Sequence, residues 1–99
     1  MIAVEWQNER GGCEATYTGP PIGRRFCELA PLNSVCLRFI DPYGDPTFNA
    51  AQIDVLEYEL AELIRTVKNA NVVEQAKGLL DFIGRVRSRM HMYLKFIGD

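Results

Sequence analysis

The chain has no apolar run near the roughly 20 residues needed to cross a bilayer, and its opening MIAVEWQNER lacks the basic-then-apolar order of a secretion signal. These absences predict a cytoplasmic protein that does not enter a membrane. Cysteine is sparse: Cys13, Cys27 and Cys36 are odd in number and widely spaced, which gives neither a closed disulfide framework nor a C-x-x-C zinc or redox motif. The expectation is three reduced, largely buried thiols. Histidine occurs once, at His91, so any Cys-His or Ser-His catalytic pair would have to use it. Its place at the end of an expected helix is already explained by the helix dipole. There is no H-E-x-x-H, no D-x-D-x-D-G loop and no glycine-rich phosphate cradle, so no metal and no cofactor is expected. A surplus of base is missing too. With 11 Lys and Arg against 13 Asp and Glu, net charge is −2, which argues against a nucleic-acid partner.

What is present describes an ordinary globular chain. Ninety-nine residues, 47% apolar and 24% charged, suit one domain with a single core. Ile2, Val4 and Trp6 alternate with polar residues, Gly11 and Gly12 supply a turn, and CEATYTG is β-prone, so residues 1–19 read as a hairpin. Residues 20–34, interrupted by Pro20, Pro21 and Pro31, read as irregular with room for one short helical turn. SVCLRFID places Val35, Leu37 and Phe39 opposite Cys36, Arg38 and Ile40, the pattern of a strand over 35–40.

The stretch FIDPYGDPTFNAAQ then hands over to a helix. Asn49 and Gln52 have capping-box spacing, with Phe48 at the staple position. Ile53, Leu56, Leu60, Leu63, Ile64 and Val67 form one stripe, predicting a helix over 49–69. Asn71 and Glu74 repeat the capping spacing, and Val72, Ala76, Leu79, Ile83, Val86 and Met90 form a second stripe over 71–90. A short connection makes the two helices an antiparallel pair. MYLKFIGD predicts a last strand over 92–97, and its LKFIG echoes LRFID, as two neighbouring central strands under the same helices would. The predicted class is α+β: a four-stranded, mainly antiparallel sheet in ββ-β-αα-β order with a helical hairpin on one face.

Charge is distributed unevenly. Residues 1–40 hold four acids and four bases, residues 41–64 hold six acids and no base, and residues 65–99 hold three acids and seven bases. Asp41, Asp45 and Asn49 supply oxygens in one turn, but turn formation and helix capping account for all three without a cation. Glu57 and Arg87, each at the edge of its stripe, are placed to pair across the hairpin. Alternatively the acidic turn and first helix receive a basic protein partner, with Asp41, Tyr43, Asp45, Asp54 and Glu59 as contact residues. A separate expectation is a small-ligand or enzyme pocket between the sheet and residues 20–34, where Tyr17, Arg24, Arg25 and Tyr43 would converge.

The combination of FIDPYGDPTFN, a helix opening at Gln52 and running through E-L-A-E-L, and the terminal YLKFIGD resembles small uncharacterised bacterial proteins of mobile or accessory gene content. The resemblance covers residues 35–99, and some such proteins are similar to immunity proteins that block toxic enzymes. It implies a non-catalytic binding role and carries no individual residue with it. The short sheet, with its open edges and one uncovered face, adds the expectation of a homodimer.

Overall fold

The alternation of Ile2, Val4 and Trp6 becomes strand β1 (Ala3–Asn8), which pairs antiparallel with β2 (Cys13–Thr16) across a tight turn. In that turn the Asn8 carboxamide oxygen accepts from the amides of Arg10 and Gly12, and Gly11 takes φ +82°, a conformation that suits glycine. The structure, a computed structural model, describes residues 2–86 and 90–98. After β2 come helix α1 (Arg24–Leu29), strand β3 (Thr47–Phe48), helices α2 (Ala50–Thr66) and α3 (Ala70–Gly84), and strand β4 (Met92–Ile97). The sheet order is β2-β1-β4-β3 with every pairing antiparallel. The fold is therefore α+β, a four-stranded antiparallel sheet with a helical hairpin against one face.

Register decides which face that is. Val4 stands opposite Phe96, Trp6 opposite Leu94, and Phe48 opposite Leu94 on the other side. All five are buried and meet Ile53, Leu56, Leu60 and Leu63 of α2 and Val72, Ala76, Leu79, Phe82 and Ile83 of α3 in one core. Trp6 also donates its indole N–H to the Phe82 carbonyl at 3.2 Å, so this ring is both apolar filler and a polar tie to the end of α3. Phe48 and Phe96 meet edge to face at 5.8 Å between centroids, as do Tyr17 and Phe82 at 5.6 Å.

The capping box at Asn49 and Gln52 is fully formed: the Asn49 side chain accepts from the Gln52 amide at 3.0 Å, and the Gln52 side chain accepts from the Asn49 amide at 2.9 Å. The second cap falls two residues earlier than its spacing predicts. Asn69, not Asn71, accepts from the amides of Asn71 and Val72, because the chain leaves α2 at Val67 and needs only residues 67–69 to reverse. Helix α3 also stops short of Met90, at Gly84. Arg85 and Val86 are no longer helical, and Met90 is 75% exposed in a turn before β4 instead of closing the apolar stripe. Arg87 lies outside the described residues, and with it the expected pairing to Glu57.

The largest departure is the expected strand at 35–40. It is one turn of 3-10 helix, Leu37–Phe39, and the sheet position it was to fill belongs to β3. Its buried residues are Cys36, Leu37 and Ile40, while Val35, Arg38 and Phe39 face outward, a helical and not an alternating pattern. The echo between LRFID and LKFIG thus does not mark neighbouring strands: β4 pairs with β1 and β3. β3 tolerates Pro46 because it lies at the sheet edge, where the Pro46 carbonyl accepts from the Phe96 amide and no proline N–H is needed. Within residues 20–34, α1 occupies the middle, and Ile22, Phe26 and Ala30 point into the core.

Two glycines of α3 make the packing testable. A Cβ at Gly78 would fall 2.6 Å from the Tyr17 hydroxyl and 2.8 Å from the Pro20 ring, whereas one at Gly84 would meet nothing within 4 Å. Gly84→Ala is expected to raise stability by about 0.5 kcal/mol or less through helix propensity, since Gly84 closes the helix. Gly78→Ala is expected to lower it despite its own propensity gain. Denaturant midpoints of the two variants check both signs.

Candidate functional site

The segment between α1 and β3 is shaped by local acceptors. Ser34 closes a turn onto Pro31, its amide and hydroxyl both donating to the Pro31 carbonyl, while its hydroxyl oxygen accepts from the Arg38 amide at 3.0 Å. Asp41 closes the next turn, accepting from the Tyr43 amide at 2.7 Å through its side chain and from Gly44 through its carbonyl. Between these turns the amides of Val35, Cys36 and Leu37 all point at one group, the Glu59 carboxylate of α2. One oxygen takes the Val35 amide; the other takes those of Cys36 and Leu37 at 2.8 and 3.0 Å. Three N–H donors on one anion are charge-assisted bonds, stronger than neutral ones.

Glu59, expected as a partner contact, is half-buried and bonded to the loop it faces. Asp45 is likewise engaged, accepting from the Gly98 amide at 3.0 Å, and Asp41 holds its own turn. Both keep an exposed side chain, as does Asp54 on α2. Of the four residues expected in a pocket against residues 20–34, only two meet: Arg24 donates to the Tyr43 hydroxyl at 2.6 Å and lies 5.9 Å from its ring centre. Arg25 pairs with Glu28, and Tyr17 turns to Phe82 and the Pro20 carbonyl. Ile22 and Phe26 of this segment are buried in the core, and a concavity beside it is lined by Tyr17 with Ile2, Ala3, Gly19 and Pro21, without Arg24, Arg25 or Tyr43.

A groove of about 420 Å³ opens instead between the 31–37 segment and α2. Pro31, Asn33 and Ser34 form one wall, Tyr58 and Glu62 the other, over buried Leu37 and Leu63. The same two segments carry large apolar side chains that face water: Leu32 at 90% exposure, Tyr58 at 68%, Val35 at 61% and Phe39 at 54%, with Val55 one turn before Glu59. Sequence reasoning placed none of Leu32, Val35, Val55, Tyr58 or Glu62 at a site. The available signal was Val55 and Tyr58, apolar residues off the α2 stripe, where a solvated face would carry polar ones.

Two of the three thiols are ill suited to nucleophilic chemistry. Burial pushes the Cys27 thiol up to about 11, with the negative charge of Asp41 adding to it, and burial followed by the nearby Glu59 charge raises that of Cys36. Both are thiols at neutral pH and so poor nucleophiles. His91 faces Glu9 at 3.1 Å on the β1–β2 turn. Among the described residues no three His, Cys, Asp or Glu side chains gather as metal ligands, and no helix is long and apolar enough to cross a membrane. Comparison with protein-family models, curated proteins and solved structures finds no match for this chain.

Glu59→Ala is expected to cost about 2 kcal/mol, since it strips charged acceptors from partly buried amides. Hydrogen exchange at Val35, Cys36 and Leu37 should quicken selectively, and unchanged exchange there would contradict the role given to the carboxylate. Cys13 is exposed, Cys27 half-buried and Cys36 buried, so a disulfide reagent at pH 8 should modify one thiol quickly, a second slowly and the third only on unfolding.

Proposed function

We propose that this chain is a non-catalytic protein that binds a protein partner through the surface formed by α2 and the segment 31–45. The observation carrying the proposal is a groove between the 31–37 segment and α2, lined by the exposed Tyr58, with further exposed apolar side chains, Leu32, Val35, Phe39 and Val55, on the same two segments. Exposed apolar residues scattered singly are ordinary; several on the two segments that form a concavity favour recognition of another macromolecule. Charge supports a basic partner, because residues 41–64 hold six acids and no base, and Asp41, Asp45 and Asp54 among them are exposed. Such a field speeds encounter and selects by sign, while the apolar contacts supply affinity. The resemblance of FIDPYGDPTFN and YLKFIGD to small bacterial proteins of accessory gene content supports an immunity-like or accessory role for that binding in the cytoplasm. Self-association belongs to the same reading: β2 is an edge strand exposed at all four residues.

The test is affinity capture from the source organism with the wild-type chain and with a Leu32→Asp, Tyr58→Asp double variant, whose changes lie on the surface and leave the core intact. A partner retained by the wild type and lost by the folded variant is the expected result. Equal recovery by both, or recovery of the bait alone, would contradict it.

A further inference from the structure

We infer that the groove between residues 31–34 and α2 receives an arginine side chain of the partner, with its guanidinium at Glu62 and its stem along Tyr58; the inference rests on the proposed function above. Among the described residues two carboxylates and no cation line the groove, and its walls are otherwise apolar or neutral. Glu59 is turned to the amides of 35–37, which leaves Glu62 as the carboxylate at the open side. Glu62 is bridged by Arg65, but that pair is an i,i+3 contact with side chains 39% and 70% exposed, a kind that exchanges readily in water. An incoming guanidinium can therefore share or displace Arg65. Arginine fits better than lysine because its planar head binds a carboxylate through two N–H groups and stacks on an aromatic face, here the exposed ring of Tyr58.

The chain itself already shows the aromatic half of this contact. Arg24 lies against the Tyr43 ring and Arg38 over that of Phe39, at 4.8 Å from its centre. Those two arginines, with Arg25 on Glu28 and Arg85 on Asp81, are engaged within their own chain and are not the guanidinium meant here.

The test titrates the isotopically labelled chain with N-acetyl-arginine amide and, in parallel, with N-acetyl-citrulline amide, which has the same shape and no charge. The arginine compound should shift the amide signals of Ser34, Tyr58, Glu59 and Glu62, and the citrulline compound should not. Glu62→Gln should abolish the response. Arg65→Gln, which removes the internal competitor, should tighten binding roughly two- to fivefold. Equal shifts from both compounds, shifts at another place, no shift, or weaker binding to Arg65→Gln would each overturn the inference. So would the same shifts on raising protein concentration alone, which would assign the groove to a second copy. A partner that still depends on Leu32 and Tyr58 in the capture experiment would leave the proposed function standing and remove only the arginine.

Discussion

The carboxylate of Glu59 governs the shape of the molecule's outer side. Three consecutive amides, Val35 to Leu37, are satisfied by a side chain from the middle of α2. Amides drawn partly out of water favour an acceptor, and a strand would find one in a neighbouring ladder. Here one anion does so, and the chain coils into a single helical turn beside α2 instead of entering the sheet. Everything proposed about the groove follows from that arrangement, because Asn33 and Ser34 form a wall only while the residues after them are held against the helix.

Much of the architecture is written in local patterns. The capping box at Asn49 and Gln52, the stripe from Ile53 to Leu63 and the alternation of β1 are short-range signals, and the folded chain uses them as their chemistry dictates. Residues 35–40 misled because Val, Cys, Leu, Phe and Ile satisfy a two-residue alternation and a helical turn equally well over six positions. The deciding partner, Glu59, lies more than 20 residues away. The end of α3 was overextended for a related reason: Val86 and Met90 continue the apolar spacing, but spacing alone does not mark where a helix stops. The candidate site was partly legible. Its acidic character was plain, whereas its apolar half depends on which side of α2 the 31–40 segment lies.

Helix α2 therefore serves two surfaces. Its inner stripe builds the core with Leu94 and Phe96, and its outer side, through Val55, Tyr58, Glu59 and Glu62, grips one loop and frames a concavity. This dual use ties recognition to folding. A change at Glu59 acts on both, while a change at Tyr58 or Glu62 acts on the outer side alone.

Trp6 is the chain's sole tryptophan, wholly enclosed, with its nitrogen fixed to the last turns of α3. Because it sits on the innermost strands and touches the hairpin above them, its ultraviolet emission is a built-in gauge of whether the helices are seated on the sheet. The outer loop can loosen without the gauge moving, so intrinsic fluorescence separates melting of the platform from opening of the recognition surface.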